Sequence, residues 1–270
     1  MQTLKVAFTQ SKLPRLEQNM LWEHVLGVSR AWLIAHDTDP LPLAAVHQYA
    51  CLEQRRLQGE PMAYILQKRE FMDYEFAVSP AVLIPRPETE LLVLHALEQI
   101  KGKRAVRVLD LGTGSGAVAI SIALARPDAV VVATDFSADA LQIAQQNAHN
   151  LCAKVEFLQG SWYDAVVGQA PFDIIVSNPP YIAENDPHLE QGDLRFEPIT
   201  ALRAAQNGLA DIREIIRGAR LYLTEAGSIW LEHGWDQAAL VRNLLAQADF
   251  NQPTSIFDFA GIPRVTGAYS

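Results

Sequence analysis

Cysteine is scarce. The 270-residue chain has two, Cys51 and Cys152, 101 positions apart and without a CxxC spacing. Neither a disulfide framework nor a zinc knuckle is indicated, and two reduced thiols in a cytoplasmic protein are expected. Long apolar runs are also lacking. The longest, Ala117–Ala125, is broken by Ser121, whereas a membrane-spanning helix needs ~20 residues. The first ten residues have neither the basic start nor the apolar core of a signal peptide, so export and membrane insertion are not expected. An excess of basic charge is missing too. Lys and Arg number 22 against 31 Asp and Glu, for a net charge of −9. Residues 1–75 hold 8 basic and 9 acidic groups, the remainder 14 and 22. Neutralised phosphates supply most non-specific affinity for nucleic acid, so this balance argues against nucleic acid as the main partner. The seven histidines show no HExxH or related spacing, and no metal site is predicted.

What remains is an ordinary globular composition, 49% hydrophobic and 20% charged, in a chain long enough to bury a core unaided. Two regions differ in periodicity. In residues 1–67, Leu16, Met20, Leu21 and Val25 recur at helical spacing, and Trp22 and Trp32 are read as core. Pro40 and Pro42 precede a helix carrying Leu43, Val46, Ala50 and Leu57, ended by Gly59. Residues 68–85 read as a hairpin linker: Phe71 and Tyr74–Val78 suggest two short strands, and Pro80 and Pro85 stiffen the stretch after them.

From residue 86 to 270 apolar runs alternate with helical patterns. Strands are predicted over Val106–Leu111, Ala129–Thr134, Lys154–Leu158, Phe172–Ser177 and Ser228–Glu232. Helices are predicted over Ser115–Ala125, from a Ser137 cap to Asn150, and near Leu209–Leu223. The pattern predicts an α/β fold with a mostly parallel sheet covered on both faces. Thr254–Phe259 and Arg264–Ala268 are expected to add antiparallel edge strands.

Two loops carry chemistry. The first, Asp110-Leu-Gly112-Thr113-Gly114-Ser115-Gly116, is a glycine turn between a strand and a helix, where a ligand can approach the backbone closely. Its GxGxG spacing differs from the GxGxxG of pyrophosphate loops. Asp135 closes the next strand, 19 residues beyond Gly116, where a carboxylate can accept ribose hydroxyl protons. Capping of the following helix is the plainer role for that acid.

The second loop is Asn178-Pro179-Pro180-Tyr181, after the fourth strand. Two prolines fix the backbone and remove two donors, leaving a turn rich in acceptors. The Asn178 side-chain carbonyl and the Pro179 backbone carbonyl can together hold both hydrogens of a planar –NH2 group, with Tyr181 beside it. An amide nitrogen is a poor nucleophile because its lone pair is conjugated, with a rotation barrier of ~18–20 kcal/mol. Holding it in line with an electrophilic methyl is worth up to ~7–11 kcal/mol, and polarising the N–H bonds stabilises the growing positive charge. Adenine and glutamine both satisfy this geometry.

Further strings make the chain similar to a known family. They are Gly59–Phe71, Val82-Leu-Ile-Pro-Arg-Pro-Glu-Thr-Glu90, Glu197-Pro198 with Gly208-Leu209, and Glu232-His-Gly-Trp-Asp-Gln237. With the two loops they resemble the protein-(glutamine-N5) methyltransferases of peptide-chain release factors, the HemK/PrmC family. The resemblance implies a class I S-adenosylmethionine-dependent methyltransferase with a Rossmann-like, mostly parallel seven-stranded sheet over 86–270. It also implies a small N-terminal helical domain, 1–67, that helps recognise a class I release factor. Implied cofactor positions are Gly112, Thr113, Gly114, Ser115, Gly116, Asp135, Trp162 and Asn178, and Arg86–Glu90 is expected nearby. Implied catalytic and substrate positions are Asn178, Pro179, Pro180 and Tyr181. Ser161 stands where related methyltransferases often carry an acid, which leaves the contact to the adenine amine open between Ser161 and Trp162. A cytoplasmic monomer is expected. The rivals are a DNA adenine-N6 methyltransferase, which needs a basic base-flipping cleft, a nicotinamide-dependent oxidoreductase, and a non-catalytic cofactor-binding module.

Overall fold

The computed structural model describes residues 2–270. Five helices come first: α1 (Leu4–Gln10), α2 (Arg15–Leu26), α3 (Arg30–Ala35), α4 (Leu43–Leu57) and α5 (Met62–Leu66). They share a core of Leu4, Phe8, Leu21, Leu33, Leu52 and Ile65. Trp22 stacks on Tyr49 within it, ring centroids 4.2 Å apart. The apolar spacing marked the helices but not their inner faces. Leu16, Leu43 and Leu57 face solvent, and Trp32 is 37% exposed, stacked on His36 rather than buried in the core. The buried stripe of α4 is Ala45, Tyr49 and Leu52, and that of α2 includes the polar Gln18 and Asn19.

The expected hairpin is present as β1 (Lys68–Phe71) and β2 (Tyr74–Ala77), antiparallel. Its two-residue turn places Met72 and Asp73 at φ 50° and 62°, the left-handed pair that matches strand twist. The Glu90 carboxylate accepts the Met72 N–H at 2.9 Å. The segment expected to act as a linker is packed into the body of the molecule. Phe71 and Phe76 lie in the core beside Leu92, Val93 and Ala96 of α6 (Glu90–Gln99).

Seven strands form the main sheet: β3 (Arg107–Leu111), β4 (Val130–Asp135), β5 (Val155–Gln159), β6 (Phe172–Ser177), β9 (Leu223–Glu232), β10 (Asn251–Phe257) and β11 (Pro263–Tyr269). A separate short parallel pair, β7 (Ile182–Ala183) and β8 (Arg203–Ala204), follows β6 in the chain. The order across the main sheet is β10-β11-β9-β6-β3-β4-β5, so the chain reverses direction beside β3. Pairings from β5 to β9 are parallel, and those of β11 with β9 and β10 are antiparallel. Here an expectation fails: β11 is not an edge strand but sits between β9 and β10. Gly267 permits this, because a Cβ there would come within 2.1 Å of the Ile229 carbonyl.

Side chains alternate between two cores, as a sheet covered on both faces requires. Val108, Ile174 and Val176 point to α6 and α7 (Ala117–Ala125); Leu109, Leu111, Ile175 and Ile229 point the other way. There they meet Ile212, Ile215 and Ile216 of α11 (Ala210–Ala219) and Val241 and Leu245 of α12 (Ala238–Gln247). Two single turns, α9 (Ile199–Leu202) and α10 (Ala205–Gly208), precede α11. Ser137 caps α8 (Ala138–Asn150) as its sequence signal predicts, accepting the Ala140 N–H at 3.2 Å.

Candidate active site

The carboxyl ends of β3, β4 and β6 open on one cavity of 540 Å³, a size typical of small-molecule sites. Such crevices form where strand order reverses. Of the sequence-predicted residues, Gly112, Thr113, Gly114, Ser115, Asp135, Trp162, Asn178 and Pro180 line it. Gly116, Pro179 and Tyr181 do not. Gly116 has φ 82° and lies against Ile120 and Ala144, so its task is to turn the loop into α7. Pro179 is buried. Tyr181 lines an adjoining cavity with Arg86, Glu88, Glu232 and Arg264.

The glycine loop is pinned from two sides. Gly112 and Thr113 both donate to the Thr134 carbonyl at 2.9 Å, and the Thr113 hydroxyl donates to Asp110 at 2.7 Å. Burial pushes the Asp110 carboxyl up to about 7. Asn147 of α8 donates to the Ser115 carbonyl at 2.9 Å, and its amide also brackets Ala77 of β2. Gly114 (φ 55°) lines the cavity, and a Cβ there would project into open space.

Asp135 has the plainer structural role and borders the cavity as well. One carboxylate oxygen accepts from Gly114 at 2.9 Å and the other from Ser137 at 2.9 Å. It thereby orders both the glycine loop and the start of α8. Desolvation raises its pKa, against the pull of these bonds. Trp162 holds φ 44° and lays its ring 3.3 Å from where a Gly112 Cβ would be. Ser161 also borders the cavity, as does Phe136, an exposed ring that sequence reasoning missed. Its position directly after Asp135 was the available signal.

Asn178 is held by a residue outside its own loop. Its Nδ2 donates to the Thr89 hydroxyl at 3.1 Å, which leaves Oδ1 as the acceptor of that side chain. Thr89 is buried, in the 3₁₀ turn Pro87–Thr89 that leads into α6. The remaining strings also acquire physical reasons. Glu197 pairs with Arg86 and accepts the Ile84 N–H at 3.0 Å. Gln237 donates to the Tyr181 carbonyl at 3.0 Å.

Family models match two parts of the chain: the PrmC N-terminal domain over residues 2–66 and the methyltransferase small domain over 87–193. A release factor glutamine methyltransferase of Bordetella pertussis is 55% identical over 269 residues, covering 100% of both chains. The chain belongs to the release factor glutamine methyltransferase family. Members from Neisseria gonorrhoeae and Escherichia coli are 49% and 45% identical, each across 95% of this chain and 93% and 92% of their own. Among solved structures, the fold is shared with the T. thermophilus 16S rRNA N2 G1207 methyltransferase in complex with AdoMet and guanosine. That likeness has TM-score 0.56 and 20% identity over 75% of this chain and 49% of the other. A Pyrococcus furiosus methyltransferase matches with TM-score 0.55 and 16% identity, over 82% and 98%.

Proposed function

We propose that the chain transfers a methyl group from S-adenosylmethionine to the side-chain amide N5 of the glutamine in the Gly-Gly-Gln loop of class I peptide-chain release factors. The observation that carries this reading is the Thr89-oriented Asn178 amide where the 540 Å³ cavity meets the cavity behind Tyr181. Full-length family membership supports glutamine over adenine as the acceptor, and net −9 agrees.

The open face of Gly114, the acid at Asp135 and the rings of Phe136 and Trp162 fit a nucleoside bearing an amino-acid tail. In this reading Asp135 takes the ribose hydroxyls, and the loop amides face the tail. When bound, the cofactor supplies an electrophilic methyl group. Asn178 Oδ1 and the Pro179 carbonyl accept the two N–H bonds of the glutamine amide and hold its nitrogen toward that methyl. These acceptors also stabilise positive charge as the N–C bond forms. The methylated nitrogen then gives up a proton to solvent through either acceptor, so no strong base is needed. Two glycines flanking the acceptor let it enter a narrow cleft.

Residues 1–67 are assigned recognition of the release factor, 68–85 the connection and 86–270 the chemistry. The working unit is a monomer in the cytoplasm, with no direct nucleic acid or membrane contact. Among the described residues, no helix is long and apolar enough to cross a membrane. Peptide mass spectrometry of release factor incubated with enzyme and cofactor should show the mass of one added CH2 on that glutamine. Methyl incorporation into DNA adenine, with none into release factor, would overturn the assignment.

A further inference from the structure

Glu232 ends β9 beneath the Asn178–Tyr181 loop, and it is 2% exposed. Its Oε1 accepts the Tyr181 hydroxyl at 3.3 Å. Its Oε2 is enclosed and has no hydrogen-bond partner among the described residues. A buried carboxylate oxygen without a donor costs stability unless something completes it. The Thr89 hydroxyl adjoins this carboxyl and favours its charged form. That hydroxyl is the acceptor for Asn178 Nδ2, so its own proton is left to give. A donor needing an acceptor and an acceptor needing a donor lie side by side under the reacting group.

Building on the function proposed above, we infer that Glu232 is a positioning residue. It takes the Thr89 proton on one oxygen and the Tyr181 proton on the other, and so fixes which face Asn178 presents. An ionised carboxylate only accepts. Thr89 must then donate to Glu232, so its oxygen lone pairs face Asn178 and can be met only by Nδ2. Oδ1 is thereby turned toward the acceptor amide. Protonating Glu232 removes that direction: Thr89 can then receive from the carboxyl and donate to Asn178, and the amide turns over with its N–H bonds toward the substrate. Two N–H groups would then face two N–H groups, and transfer stops.

Burial raises the Glu232 carboxyl to about 7, which places this switch in an accessible pH range. Charged groups face it from several elements. Glu88, in the turn before α6, raises its pKa, and Arg264 of β11 lowers it. Arg86, His188 and Asp193 line the same cavity, and His233 comes directly after the end of the strand.

Three variants test this: Glu232→Gln, Thr89→Val and Thr89→Ser. Steady-state methylation of release factor would be followed from pH 5.5 to 8.5, with S-adenosylhomocysteine calorimetry and thermal melting alongside. For Glu232→Gln the expected result is a kcat loss on the order of a hundredfold, the scale of misdirected hydrogen bonds at a reacting centre. KM for release factor and cofactor affinity should stay within about threefold of wild type. Wild-type kcat should fall in acid with a midpoint near pH 7, and the variant should lose that limb. Thr89→Val should match Glu232→Gln, the double variant should be no worse than either, and Thr89→Ser should restore most of the rate. Should Glu232→Gln fail to fold, the Val and Ser pair at position 89 still decides. The inference is overturned by near-wild-type kcat in folded Glu232→Gln or Thr89→Val, by additive losses, or by a wild-type profile flat across pH 7. Absence of methylation by the wild-type enzyme would instead refute the function on which it rests.

Discussion

Gly208 gives a worked case of how a remote backbone position sets the chemistry. It has φ 81°, and a Cβ added there would lie 2.1 Å from the Tyr181 carbonyl oxygen and 2.8 Å from Gln237 Nε2. Gly208→Ala therefore meets three costs. The left-handed conformation costs an L-residue about 1–2 kcal/mol. Overpacking adds about 1–3 kcal/mol. Losing the 3.0 Å Gln237–Tyr181 bond adds about 1 kcal/mol. The chain can relieve the clash by moving Tyr181, and with it the Asn178 loop, by roughly an ångström, a displacement that can lower kcat about a hundredfold. The matched control is Gly27→Ala: φ there is 66°, with nothing within 4 Å of the added Cβ, so it carries the conformational cost alone. Methylation kinetics on release factor, S-adenosylhomocysteine calorimetry and melting curves would be measured for both. The expected pattern is a large kcat loss in Gly208→Ala, cofactor affinity held within about threefold, and near-normal kcat in Gly27→Ala. Equal kcat in the two variants would show that contact with Tyr181 has no part in positioning the loop.

Asn178→Ala should leave the fold and cofactor affinity intact and lower kcat more than tenfold, since it removes one of two aligning acceptors; a smaller loss would contradict that role. Asp135→Ala should weaken S-adenosylhomocysteine binding by about 1.5–3 kcal/mol, while an unchanged Kd in a folded variant would confine Asp135 to its bonds with Gly114 and Ser137. The buried Asp110 titrates near 7 instead of its ordinary 3.8. Its stabilising contribution is thus present below about pH 4 and fades as pH rises through 7, at about 1.4 kcal/mol per pH unit. Asp110→Asn should accordingly show a shallower fall in unfolding free energy between pH 5 and pH 7 than wild type, by roughly 2 kcal/mol, and identical slopes would refute the assignment. A chain beginning at Lys68 should be more stable than one beginning at Phe76, because Phe71 is 1% exposed in the catalytic core and loss of a buried Phe costs about 3–5 kcal/mol. Equal melting temperatures would contradict that packing.

The fold was largely legible because its signals are local. Phe172–Ser177 and the Ser137 cap come directly from apolar runs and capping chemistry, and the glycine loop marks where β3 meets its helix. Pairing that depends on distant partners was not legible. Nothing in Arg264–Ala268 says that it will enter beside Trp230 rather than add at the edge, since that is decided by Gly267 meeting Ile229. In α4, Leu43, Ala50 and Leu57 have the right spacing for a face, but Tyr49 against Trp22 settles which side turns in. In the site, Asn178, Asp135 and the glycines announce themselves because few side-chain types do their chemistry. Thr89 and Glu232 do not: a hydroxyl and a carboxylate acquire their meaning only when the fold brings them beneath residues 89 and 51 positions away.

The insertion of β11 bears on aggregation. β10 pairs only with β11 among the described strands, so neither can join the sheet until residues 263–269 are made. Before that moment β9 presents its outer edge, and Ile229, Trp230 and Leu231 lie along it. Open apolar edges of this kind recruit strands from other molecules. β9 ends at Glu232, so the strand whose open edge β11 must cover also carries the floor of the reaction site.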